Sequence, residues 1–177
     1  AVAISPDGST LVFTASTDGT DRLYVRKRND TEIRPIAGTE GGREPVFSPD
    51  GKWLAFFGGG ALKKLSLDGA IVPLTKTSGG ARGIAWLDAS TIIYSPEPAS
   101  GLVQVSANGG EPKPVSTVDQ SKGERTHRWA AALPGGKAVL FTLGILASPD
   151  DYDSSNIEAL ILATGERRVV FRGASMA

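Results

Sequence analysis

The stretch Glu44-Pro45-Val46-Phe47-Ser48-Pro49-Asp50-Gly51-Lys52-Trp53-Leu54-Ala55-Phe56-Phe57 decides the fold. Two apolar runs flank a Ser-Pro-Asp-Gly tetrapeptide whose residues all suit a reversal of the chain. Proline presets φ, aspartate bonds to neighbouring backbone, and glycine accepts positive φ. The stretch therefore reads as a tight hairpin. A copy stands at Ile4-Ser5-Pro6-Asp7-Gly8, followed by Leu11-Val12-Phe13. Two degenerate copies are Trp86-Leu87-Asp88-Ala89-Ser90 before Ile92-Ile93-Tyr94, and Ala132-Leu133-Pro134-Gly135-Gly136 before Val139-Leu140-Phe141. Copies that begin at residues 4, 47, 86 and 132 repeat at a period near the roughly 40 residues of a β-propeller blade.

Within the second copy four strands can be read, over 45–48, 53–57, 62–67 and 71–74. Leu67-Asp68-Gly69-Ala70, Ala107-Asn108-Gly109-Gly110 and Ala163-Thr164-Gly165-Glu166 supply the later hairpin turns. The pattern predicts an all-β chain, a β-propeller with four blades of four-stranded antiparallel sheet. The blades are expected at about 1–43, 44–82, 83–128 and 129–177, and Phe13, Phe56, Tyr94 and Phe141 at equivalent places in the core between blades. The chain opens inside one strand and ends where a further blade would begin. Three arrangements fit this: a closed four-bladed ring, a half ring completed by a second copy, or a fragment of a larger circle. The half ring or fragment is favoured, because an open end exposes an apolar blade face that must be covered.

Composition narrows the function. Nineteen Lys plus Arg balance nineteen Asp plus Glu, so no global field draws the chain to nucleic acid or to an anionic membrane. The absence of cysteine removes disulfide frameworks and thiolate metal sites, and leaves the compartment open. No run approaches the roughly 18 apolar residues of a membrane-spanning helix, so any leader or anchor is expected outside this chain and no direct membrane contact within it. Arg26-Lys27-Arg28 is a small basic patch without interleaved aromatics, suited to keeping an exposed strand soluble.

The strings Glu44 to Phe57 and Leu62-Lys63-Lys64-Leu65-Ser66-Leu67-Asp68-Gly69 resemble TolB-type, WD-repeat-like bacterial propellers. More narrowly, Gly123-Glu124-Arg125-Thr126-His127-Arg128-Trp129 and Leu133-Pro134-Gly135-Gly136-Lys137-Ala138-Val139-Leu140-Phe141-Thr142 resemble the propeller region that follows the kinase domain of bacterial serine/threonine kinases of the eukaryotic type. That resemblance covers essentially the whole chain. It implies a parent with a kinase inside the cell, a membrane segment and an extracytoplasmic propeller that senses or binds. Kinase activity is not expected in this chain, which has no Gly-rich loop, strand lysine, His-Arg-Asp or Asp-Phe-Gly.

Arg43, Arg82 and Arg128 share one register, each four residues before Phe47, Trp86 and Ala132. All three are expected to precede the innermost strands, at the mouth of the channel, where converging guanidiniums hold an acidic side chain, a phosphate or a sugar acid. The alternative is that each pairs with a nearby carboxylate such as Glu44 or Glu124. His127 and Trp129 fall in the same segment as Arg128 and are counted with the three arginines as candidate ligand-binding residues at the channel mouth. The histidine is expected to anchor the loop, since the sequence offers no Gly-x-Ser-x-Gly elbow and no second histidine. Trp129 reads as blade packing or a channel-mouth contact. Asp150, Asp151 and Asp153 do not match a calcium loop and read as a solvated insertion, and Asp18-Gly19-Thr20-Asp21 as a turn. The inner strands, read as 1–4, 45–47, 84–86 and 130–132, are nearly all apolar, which argues against a metal-dependent hydrolase or lactonase.

The sequence thus points to a non-catalytic binding or scaffolding propeller of a larger bacterial protein. No cofactor is expected, and the partner is an unknown protein or a small anionic ligand, with self-association as a way to complete the ring. The runner-up is an accessory propeller beside a separate catalytic domain, as in prolyl-type peptidases.

Overall fold

The computed structural model describes residues 1–174; residues 175–177, to which the fourth blade is expected to extend, lie outside the described residues. Each repeat folds as a meander in which consecutive strands are neighbours. Blade 1 holds β1 (Val2–Ile4), β2 (Thr10–Thr17), β3 (Thr20–Lys27) and β4 (Arg34–Pro35). Blade 2 holds β5 (Arg43–Phe47), β6 (Trp53–Gly58), β7 (Ala61–Ser66) and β8 (Ile71–Lys76). Blade 3 holds β9 (Arg82–Trp86), β10 (Thr91–Ser95), β11 (Val103–Ser106) and β12 (Lys113–Pro114). Blade 4 holds β13 (Glu124–Ala132), β14 (Ala138–Ile145), β15 (Asn156–Ile161) and β16 (Arg167–Arg172). All strand pairs are antiparallel. The innermost strands β1, β5, β9 and β13 pack in succession along the hub.

The hairpin turn works as its residues dictate. The Ser48 hydroxyl donates to Asp50 Oδ1 (2.6 Å) and accepts the Trp53 amide (2.9 Å), while Gly51 takes φ 71°. Ser5, Asp7 and Gly8 repeat the arrangement, and the Ser5 hydroxyl, helped by Ser9, holds the Asp7 carboxyl down at about 2. In blade 3 the turn is one residue shorter. Leu87 N–H closes on Thr91 O, four residues on, where Ser48 N–H closes on Trp53 O, five residues on. Asp88 still caps it, accepting the Ser90 amide at 2.7 Å.

Each blade has two faces, and side chains alternate between them. Val12 and Leu23 of blade 1 meet Leu54 and Phe56 of blade 2 in one core. Ala55, Phe57 and Leu62 meet Ile84, Trp86, Ile92 and Tyr94 in the next. Ile93 and Leu102 meet Val139, Phe141 and Leu143 in the third. Three cores join four blades, and among the described residues none joins blade 4 to blade 1, so the chain forms an open arc. The blade 1 face directed away from blade 2 carries the cross-strand row Val2, Phe13 and Tyr24. Phe13 sits at the place equivalent to the buried Phe56, Tyr94 and Phe141, yet is only half-buried and stacks on Tyr24 at 6.0 Å. It is a core residue without an opposing blade.

The blade seams expected after residues 43, 82 and 128 all fall inside inner strands. β5 begins at Arg43, β9 at Arg82 and β13 already at Glu124. Each of these three inner strands runs on through a bulge that breaks its apolar pattern, and from the sequence this looks like loop.

Truncating a side chain clamped between two blades leaves a cavity, whereas one on an open face does not. Ile92→Ala is expected to cost about 3 kcal/mol in a urea melt, and Phe13→Ala less than half of that.

Candidate functional site

The three register arginines sit at one structural event. Each is followed by a residue with left-handed backbone: Glu44 (φ 53°), Gly83 (φ 64°) and Trp129 (φ 52°). At each, the pairing to the second strand slips, between Arg43 and Val46, between Tyr94 and Ser95 opposite Arg82, and between Arg128 and Ala131. A bulge of this kind re-aims the side chain next to it. The bulges lie at the end of the arc that carries the blade-to-blade connections and the loops 96–102 and 146–155, opposite the Ser-Pro-Asp-Gly turns.

The bulges of successive blades contact one another. The Glu44 carboxylate reaches from blade 2 to accept the Gly83 amide of blade 3 at 2.5 Å, and its other oxygen lies 3.4 Å from Arg43 Nη1. A Cβ on Gly83 would lie 2.3 Å from the Trp129 Cα, so blades 3 and 4 approach backbone to backbone, and only glycine fits there.

Arg43 and Arg82 converge. Arg43 Nη1 donates to Ala81 O (2.7 Å) and its Nη2 to Gly79 O (3.1 Å). Arg82 Nη1 donates to the same two carbonyls, at 2.8 and 3.4 Å. Arg128 reaches to blade 3, donating from Nη2 to Pro98 O (2.7 Å) and from Nε to Thr126 Oγ1 (3.3 Å). It lies over the Tyr152 and Trp129 rings, at 5.4 and 5.9 Å, and those rings meet edge to face. Arg125 donates to Pro149 O of the same loop. Burial lowers the pKa of Arg43, opposed by Glu44 and reinforced by the charge of Arg82. Burial also lowers that of Arg128, opposed by Tyr152 and Asp150 and reinforced by Arg125 and Arg82. Among the described residues Arg43 has Glu44 as an ion-pair partner, while Arg82, Arg125 and Arg128 have no carboxylate within ion-pair distance.

His127 lies elsewhere. Its side chain is wholly buried. Nδ1 is 2.7 Å from Ser116 Oγ and Nε2 is 3.3 Å from Glu124 Oε2, with Phe141 against the ring. A hydroxyl, an imidazole and a carboxylate in line resemble a catalytic triad, but each is committed to structure. Ser116 Oγ accepts the Leu102 amide (2.8 Å), and Arg167 grips Glu124 with two nitrogens, at 2.7 and 3.1 Å. Burial, joined by the charge of Arg167, pushes the histidine below its ordinary 6.5 against the pull of Glu124. The imidazole is therefore a neutral staple between the end of blade 3 and blade 4. Burial works to raise Glu124, but Arg167 and the Asp119 amide outweigh it, and the carboxyl titrates below its ordinary range.

The aspartate insertion forms its own turn, Asp151 accepting the Asp153 amide at 2.9 Å. Among the described residues no three acidic, histidine or cysteine side chains converge as metal ligands. Sequence reasoning found the arginine register and offered Glu44 as a carboxylate partner, which it is for Arg43, but missed the bond from Gly83 to Glu44 and the place of Tyr152. Gly83 follows Arg82 at the shared register, the one signal that pointed to it.

No family model and no curated protein sequence matches the chain. Solved structures do. The chain is 16% identical to TolB from Acinetobacter baumannii, with a TM-score of 0.77 over 99% of this chain and 44% of that one. It is 18% identical to the putative TolB from Agrobacterium tumefaciens, with a TM-score of 0.78 over 97% and 66%. The β-propeller domain of the Trilobed protease from Pyrococcus furiosus, for which an open velcro topology is described, aligns at 15% identity and a TM-score of 0.56 over 98% and 71%. The protein is thus an all-β propeller chain of TolB-like fold. It spans less than two thirds of either TolB chain.

A depressed histidine pKa means the folded state binds fewer protons than the unfolded chain near pH 6. Stability is expected to be level above pH 6.5, to fall as the pH drops below it, and to fall again below the ordinary glutamate range as Glu124 protonates. In chemical denaturation followed from pH 8 to about 2, His127→Gln should abolish the first decline and keep the second.

Proposed function

We propose that this chain is a non-catalytic binding module of a larger bacterial protein, and that it binds through the loop end of its inner strands. The observation that carries the reading is the row of bulges that turns Arg43, Arg82 and Arg128 towards that end, two of them on the same pair of carbonyls. A rigid blade stack with variable loops at one end is a common arrangement for recognition. The buried, arginine-quenched His127 and Glu124 speak for a structural rather than a catalytic use of the chain's single histidine. The partner is a protein or a small anionic ligand, and nucleic acid is a poor match for a chain of zero net charge. An extracytoplasmic place, in a membrane-anchored and kinase-bearing parent, rests on the sequence resemblance alone. The likeness to a propeller domain of a protease gives a second reading, an accessory domain to a separate peptidase domain.

Two measurements test the module. Peptides selected from a random displayed library should, in amide-shift mapping, perturb the inner-strand bulges and the loops 96–102 and 146–155. Mapping to the outer strands β4, β8, β12 and β16 would refute the reading. We further propose that the open faces of blades 1 and 4 make the isolated chain self-associate. Light scattering over a concentration series is expected to show mass rising with concentration, and Ile4→Asp, at an exposed apolar position on blade 1, to reduce it.

A further inference from the structure

Resting on that reading, we infer that the ligand presents a carboxylate, and that Arg82 receives it, with Arg128 beside it across the junction of blades 3 and 4. The argument begins with the repeat itself. Three blades place an arginine at the same bulge, so each faces the same problem of a half-buried cation. Blade 2 solves it internally: Glu44, the residue after Arg43, supplies a carboxylate that touches the arginine and accepts the amide of the next bulge. Blade 3 has Gly83 at that place, and the close approach to Trp129 leaves no room there for a side chain. Blade 4 has Trp129, which also brings no charge. Among the described residues, two of the three equivalent arginines therefore lack a carboxylate at ion-pair distance like the one the first carries, Asp150 acting on Arg128 only from farther off.

The donors left over have the right geometry. Both backbone carbonyls under Arg82 are already served by Arg43, and Arg82 adds only its Nη1 to them. Its Nε and Nη2 have no acceptor among the described residues. That edge of a guanidinium is a two-pronged donor matched to a carboxylate. The Nη1 bonds hold it in place, so little rotamer freedom remains to be lost on binding. Beside it the Trp129 and Tyr152 rings form an aromatic shelf under Arg128, suited to the apolar carbons of an organic acid or of an acidic residue's neighbour. Such a shelf favours a carboxylate on a carbon chain over bare phosphate.

The test is a titration of the purified chain by isotope-edited NMR, reading the Arg82 Nε–H and the Gly83 and Trp129 amides. The probes are succinate, the blocked peptide acetyl-Gly-Asp-Gly-amide, and inorganic phosphate. Carboxylate binding should move these signals and weaken as salt is added. Arg82→Gln should weaken binding about tenfold or more, and Arg82→Lys, which keeps charge and loses the fork, by an intermediate factor. Arg168→Gln, an exposed arginine of β16 already paired with Glu166, should change nothing. Circular dichroism and melting temperature establish that each variant is folded. Should Arg82→Gln fail that check, Arg82→Lys and the salt dependence carry the test. Tighter binding of the peptide than of succinate supports the assignment and makes the source a polypeptide, and the reverse order supports it with a free organic acid. Unmoved signals, equal binding by Arg82→Gln, or phosphate bound tenfold more tightly than either acid would overturn it. The module reading would survive that outcome if selected peptides without acidic residues still mapped to the loop end.

Discussion

Everything in this structure depends on sheets that must be covered on both faces. A four-stranded meander of alternating apolar side chains cannot bury itself, so each blade is stable only against a neighbour. Leu54 and Phe56 point back to blade 1, while Ala55 and Phe57 point forward to blade 3, and the same alternation serves Ile92 and Ile93 in the next blade. The close approach this requires is what removes the side chain at residue 83 and brings the bulges of blades 3 and 4 into contact. Packing thus sets the geometry of the arginines.

The two ends of the arc follow different rules. At one end the Ser-Pro-Asp-Gly turns satisfy their own polar groups, serine to aspartate and aspartate to amide, within a few residues. At the other end polar groups are satisfied between blades: Ser78 to Pro96 O, Arg128 to Pro98 O, the His127 amide to Ser100 O, and Glu44 to Gly83. The first end holds each hairpin together, and the second ties hairpins into an arc. The recognition surface proposed at the second end would therefore be built from the same bonds that fix the angle between blades.

The fold was legible because its signal is local and repeated. Four copies of a turn flanked by apolar runs leave little room for another architecture, and even the degenerate copies at Asp88 and Gly136 keep the reversal. The inner-strand starts were not legible. Arg43-Glu44, Arg82-Gly83 and Thr126 to Trp129 look like polar loop because a bulge breaks the period of two on which strand reading depends. The arginine register could be counted, but the sharing of two carbonyls by Arg43 and Arg82, and the shelf of Trp129 on Tyr152, join residues far apart in sequence. His127 as a structural anchor followed from the lack of a second histidine, whereas its partner Ser116, in the segment after β12, and Arg167, which holds its other partner Glu124, are distant in sequence and left no local trace.

Three cores among four blades also give the molecule a gradient of cooperativity. Blades 2 and 3 are each held from both sides, while blades 1 and 4 are held from one, so in a nearest-neighbour picture the ends open first and the centre last. Blade 4 has an additional tether in Glu124, which binds Arg167 of its own outermost strand and, through His127, the end of blade 3. Among the described residues blade 1 has no such ionic latch, its side-chain ion pairs being exposed ones on its outer strands and connections. Opening of the arc is therefore polar in direction, beginning at blade 1 and reaching the arginine bulges only after the centre has started to give way.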